Sequence, residues 1–177
     1  MIDVINEGTI IGSSEIGGLI GDSFTATITG GANTALITSN SIDGAQIGGL
    51  VGDGADISSA ALSIYQSYNT GEVYGTGGEG VGGIIGEFEL GSLAVNESFN
   101  HGRITNIDST SDAHVGGIIG RIVSVQAPNS VEIKNVYNLG TITGISTNDD
   151  ARAGGLFGLV SQNDANTVTV YDSFNAG

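Results

Sequence analysis

The chain has 177 residues, of which 31 are glycine, 1 is proline and 39% are apolar. With 19 acidic residues against 4 basic ones the net charge is −15, which opposes nucleic acid and anionic membrane surfaces, since both require clustered cations. Cysteine is absent, so disulfides, thiolate zinc sites and thiol catalysis are excluded, and no apolar run reaches the roughly 18 residues of a membrane span.

Met1 is followed by neither a basic leader nor an apolar signal stretch, so we expect a fragment of a longer protein that forms one repeat domain over 1–177. The first repeat unit opens with INEGTI at 5–10, followed by the hexapeptide IGGLIG at 16–21. Alternating Thr25, Thr27 and Thr29 come next. The second unit has a degenerate element, ANTALI at 32–37, then IGGLVG at 47–52. The third has YNTGEV at 68–73 and VGGIIG at 81–86. The fourth has FNHGRI at 99–104 and VGGIIG at 115–120. The fifth has YNLGTI at 137–142 and AGGLFG at 153–158, and FNAG at 174–177 begins another. The hexapeptides start 31, 34, 34 and 38 residues apart.

Each unit holds three strand-like stretches, which in the third unit span 66–74, 81–88 and 90–99. All are rich in Val, Ile, Tyr, Phe and Thr and bounded by Gly, Asn, Asp or Ser. Helical periodicity is absent, which excludes helical repeats of similar length. The expected fold is all-β: a parallel β-helix (β-solenoid), right-handed and triangular, of about five coils with three short strands each. At about 4.8 Å per coil such a rod is about 25 Å long.

Comparing the units sorts inside from outside. Asn6, Asn33, Asn69, Asn100, Asn138 and Asn175 form a constant column, while the residue after each Asn varies freely. We expect the Asn amides to lie buried and to hydrogen-bond along the axis. The residues before them, with Tyr68, Phe99, Tyr137 and Phe174, are expected to stack in the core. The glycine two residues after the Asn supplies either a positive φ or room for a close turn. Leu19 and Ile20, and their equivalents, are both apolar, so the pattern leaves open which faces the core.

These motifs resemble the GLUG-motif repeats of bacterial surface proteins, which include adhesins and the non-catalytic region of immunoglobulin A peptidases. The resemblance rests on the Gly-apolar-apolar-Gly segments, best at 18–21 and 49–52, and on the Tyr-Asn-Thr-Gly-like element. It implies a cell-surface, extracellular location and an adhesive or accessory role, with no catalytic residue.

Candidate chemistry is sparse. After the hexapeptide come Asp22, Asp53, Glu87, Arg121 and Leu159, one residue per coil. Stacked Asp22, Asp53 and Glu87 either splay outward into water, which is the favoured reading, or recruit calcium. Glu87 is placed beside Arg121, and Glu72 beside Arg103. His101 and His114 occupy variable slots and read as surface residues. Asp108, Asp112, Asp149, Asp150 and Asp164 read as soluble loop acids able at most to hold calcium weakly. Gly77 to Gly80 read as a Gly-rich loop without the Lys of a phosphate cradle. Glu87 and Glu89 lack a converging partner, and no nucleophile elbow or His-containing triad is present. Thr25, Thr27 and Thr29, with Thr167 and Thr169, would suit an ice-binding face, but the third and fourth units lack the pattern.

The sequence therefore points to a non-catalytic adhesin or stalk module without a cofactor, other than calcium. Its partners would be a host or environmental glycan or protein. The alternatives are a filament subunit that stacks end to end, and a carbohydrate-active β-helix enzyme.

Overall fold

The computed structural model describes residues 1–42, 44–54, 57, 59–108, 112–123, 130–161 and 167–177. Its strands pair only in parallel, in one six-stranded and four five-stranded sheets, and among the described residues no helix is present. The chain is a parallel β-helix. Each strand pairs with its counterpart one coil away, as in Tyr68–Asn69 with Phe99–Asn100 and Ser92–Asn96 with Ser130–Lys134.

A coil contains five strands, not three. In the third coil they are Tyr68–Asn69, Val73–Thr76, Gly78–Gly82, Ile85–Phe88 and Ser92–Asn96. We number the sheets that contain them 1 to 5. The expected stretch at 81–88 is broken in two because its second glycine turns the chain. A Cβ on Gly49 would lie 2.1 Å from the Gly83 carbonyl and 2.6 Å from Asn69 Cγ, and one on Gly48 would lie 1.8 Å from the Val51 carbonyl. Only bare backbone fits that bend. The stretch at 66–74 breaks similarly after the Asn. A Cβ on Gly71 would sit 1.9 Å from the Ala35 carbonyl of the coil before. Close approach explains this glycine, since positive φ among glycines occurs at Gly30, Gly44, Gly77 and Gly91 instead.

The bend also shapes the interior. The Asn column points inward against the Gly-Gly turn, so the cross-section is pinched by a polar waist. On one side lies a cluster around Leu50, Val51, Leu62, Ile84, Ile85 and Phe88. On the other lies a smaller cluster around Ile37, Ile47, Val73, Val81 and Ile104. Both apolar residues of the hexapeptide face the larger cluster: Leu50, Val51, Ile84 and Ile85 are all fully buried.

The waist carries a continuous ladder. Asn6, Asn33, Asn69, Asn100 and Asn138 each donate Nδ2–H to Oδ1 of the next Asn at 2.7 Å. Each Nδ2 also donates to the carbonyl two residues on, for example Asn100 to Gly102 at 2.8 Å. A column of buried asparagines is thereby satisfied, which the cost of an orphaned amide requires. The residues after them, from Glu7 to Ala176, are all exposed.

The aromatic column forms as a stack but lies half exposed on the outer side of sheet 1, not in the core. Tyr68, Phe99, Tyr137 and Phe174 stack with centroids 5.1, 5.1 and 5.3 Å apart. Strand alternation decides this: adjacent residues face opposite sides, and the Asn has taken the inner one.

Candidate functional site

The acidic column lines up as the repeat predicts. Asp22 pairs with Asp53, Asp53 with Glu87, Glu87 with Arg121 and Arg121 with Leu159. Its environment differs from the outward-splayed reading. Asp22 is exposed, but Asp53 and Glu87 are buried, Glu87 completely. All four residues of the strand Ile85–Phe88 are buried, so both of its faces are covered. The carboxylate oxygens of Asp22, Asp53 and Glu87 do not gather within 4.8 Å as a trio; among the described residues Asp112, Asp149 and Asp150 do.

Glu87 faces Arg121, whose Nη2 lies 2.8 Å from its Oε1 and 2.7 Å from Oε2 of Glu79. Glu79 reaches this position through a β-bulge. The register of Gly78–Gly82 against Ala45–Gly48 shifts between Gly78 and Gly80, leaving Glu79 as the extra residue, and a bulge re-aims its side chain. The Gly-rich segment at 77–80 is thus largely bulged strand, not loop. Gly80 is required by the backbone beside it, since a Cβ there would lie 2.7 Å from the Gly86 carbonyl. Burial pushes the Glu87 carboxyl up to about 7 against the opposing pull of Arg121.

His114 is buried, contrary to the surface reading, at 3% exposure. Its Nδ1 lies 2.8 Å from the Glu79 carbonyl, and its Nε2 lies 2.9 Å from Arg152 Nη1. A carbonyl only accepts and a guanidinium only donates, so the ring is neutral with its proton on Nδ1. Burial accordingly holds its pKa below the ordinary value. Arg152 also pairs with Asp112 and, at 2.7 Å, with Asp150, and its hydrogen bond holds the Asp112 carboxyl below the usual range. His101 is exposed and tilts against Phe99 and Tyr137. Glu72 and Arg103 pair at 2.8 Å on the surface. Asp108 is buried at the end of the strand Ile104–Asp108 and is not a loop acid, while Asp164 lies outside the described residues.

A carboxyl with a raised pKa beside an arginine is what acid–base chemistry would use. Glu87 is fully buried, however, so a substrate cannot reach its oxygens. The group forms a polar network across the third to fifth coils: Glu79 and Glu87 beside Arg121, and His114, Asp112 and Asp150 beside Arg152. The trio Asp112, Asp149 and Asp150 has the spacing for a cation, but Arg152 already supplies the positive charge.

A column unforeseen in the sequence lies at the corner between sheets 5 and 1. Gln66, Glu97, Asn135 and Asp172 all have positive φ, at 49°, 49°, 53° and 45°. Gly30 holds the corresponding place with φ 65°. Next to it is a file of small buried residues. Ser98 Oγ accepts from Ser67 N at 3.1 Å, and Ser67 Oγ accepts from Gly31 N at 3.0 Å. The run of Gln66-Ser67-Tyr68-Asn69 against Glu97-Ser98-Phe99-Asn100 was the available signal. It is diluted by Gly30-Gly31 and by Val136.

No protein family model matches the chain, and no curated protein or solved structure does so.

Proposed function

We propose that the chain is a non-catalytic module of a cell-surface protein: a rigid β-solenoid that holds or presents a binding surface, as in adhesins and stalks. The observation that carries the reading is the unbroken internal asparagine ladder. It fixes successive coils in register and leaves the variable side chains outside, the division of labour of a repeat scaffold. Burial of Glu87, a carboxyl with a raised pKa, supports a non-catalytic role. The resemblance of the hexapeptides to GLUG repeats supports the extracellular location.

The test has two arms. Antibody to the chain is applied to intact and permeabilised cells of the source organism, and the purified chain is incubated with a panel of polysaccharides while reducing ends are counted. Labelling of intact cells without saccharide turnover is the expected result. Labelling only after permeabilisation, or sustained turnover, would sink the reading.

A further inference from the structure

The file of left-handed corner residues borders an open groove of about 400 Å³ that runs parallel to the solenoid axis. Tyr65, Asn96 and Lys134 form one wall, in register at the ends of successive sheet 5 strands. Gln66, Glu97 and Asn135 form the other. A second concavity, lined by Glu132, Lys134, Tyr171 and Asp172, continues it along the same corner. Beside the first wall the sheet presents small side chains, Ala61, Ser63, Ser92 and Ala94, all at least partly exposed. These leave a flat apron on which a long ligand can lie.

Three properties define what fits. First, the backbone is already engaged: the corner N–H groups of Gly30, Gln66, Glu97 and Asn135 donate to carbonyls of the following coil. A peptide that adds as a strand needs a free edge, and this corner offers none. Second, the side chains are available. Apart from the Gln66–Glu97 hydrogen bond at 2.9 Å, the side chains of Tyr65, Asn96, Lys134 and Asn135 form no hydrogen bond with other described residues. Lys134 is also the one basic residue without a described ion pair, the other three being joined to carboxylates. Third, the lining mixes amides, phenol, ammonium and carboxylate. Amides both donate and accept, as sugar hydroxyls do. A polyanion is opposed by Glu97, Glu132, Asp172 and the overall charge of −15.

We propose that this groove binds a neutral linear polysaccharide along the axis, with Asn96, Asn135 and Gln66 reading its hydroxyls and Tyr65 supplying an apolar contact. The inference rests on the presenting-module reading and names the surface presented. Wall positions recur at each coil, about 4.8 Å apart, occupied by Thr29, Tyr65, Asn96, Lys134 and Tyr171, so many weak contacts along the ligand add together.

The test titrates the chain by calorimetry and side-chain-amide NMR with hexasaccharides of β-1,4-glucose, β-1,4-mannose and α-1,4-glucose, and with hexagalacturonate as the anionic control. At least one neutral hexasaccharide is expected to bind, shifting the amides of Gln66, Asn96 and Asn135. The double variant Asn96→Ala/Lys134→Ala, at partly exposed and exposed wall positions, is expected to bind at least tenfold more weakly. Arg103→Ala, just before the sheet 2 strand Ile104–Asp108, is expected to bind as the parent does. The proposal is overturned if no neutral hexasaccharide binds, if hexagalacturonate binds tighter, or if the shifts lie elsewhere; these shifts need no variant. Any of those results with intact-cell labelling retained removes the groove and leaves the module standing, whereas saccharide turnover removes the module itself.

Discussion

Replacing Asn100 by alanine tests the internal ladder at its centre. The Asn100 side chain donates to Asn138 Oδ1 and the Gly102 carbonyl, and accepts from Asn69 Nδ2 and the Gly102 N–H. At about 1 kcal/mol net for each, the loss is about 4 kcal/mol, and the small void left at a fully buried site adds to it. That is a large part of the stability of a typical domain, about 5–15 kcal/mol. Asn6→Ala removes the equivalent side chain at the half-exposed end, where water replaces the lost partners, and should cost below about 1 kcal/mol. Asn100→Asp keeps the shape but faces the Asn138 and Gly102 oxygens with a carboxylate, and should cost more than the alanine at pH 7. Urea unfolding followed by circular dichroism gives the three values. If Asn100→Ala costs no more than Asn6→Ala, the ladder does not hold the coils and the reasoning fails.

Gly83→Ala should destabilise by about 3 kcal/mol or more, because overpacking here meets backbone and the asparagine column, not a yielding side chain; the same urea titration checks it. The new Cβ would lie 2.1 Å from the Gly117 carbonyl and 2.6 Å from Asn100 Cγ. Glu87 carries a pH dependence of definite sign. Its carboxyl is raised from 4.5 to about 7 on folding, so it favours the fold when protonated, and stability is lost as pH rises from about 4.5 through 7. The span corresponds to on the order of 3 kcal/mol. Glu87→Gln should therefore leave stability nearly unchanged at pH 4 and raise it at pH 8; equal effects at both pH values would contradict the assignment. Arg152→Ala should expose Asp112, Asp149 and Asp150 to calcium. We expect millimolar calcium to raise the melting temperature of that variant and to leave the parent unchanged, measured by differential scanning calorimetry.

The architecture was legible because the chain repeats itself. The Asn column, the exposed residue after it, and the pairs Glu87–Arg121 and Glu72–Arg103 all follow from alignment of the units alone. Strand number was less accessible. Runs such as 81–88 read as one strand, and the bend at Gly83 arises from contacts with Gly117 and Asn100 in the next coil. Burial of Glu87 and His114 was hidden for a related reason. A polar residue in a variable column reads as exposed, but Glu79 in its bulge and Arg121 and Arg152 one coil on build a covered polar network around these two. The corner column at Gln66, Glu97, Asn135 and Asp172 was the largest omission. Left-handed φ leaves no fixed residue type when Asn, Asp, Gln, Glu and Gly all occupy it.

The central claim is that the constant asparagines are interior structure and the variable surface does the binding. Hydrogen exchange of the side-chain amides, followed by NMR on the intact chain, tests it most directly. The account predicts two classes: slow exchange for the amides of Asn33, Asn69, Asn100 and Asn138, and fast exchange for those of Asn96 and Asn135. Fast exchange of all six would contradict it, because an amide column open to water could not be the spine of the solenoid.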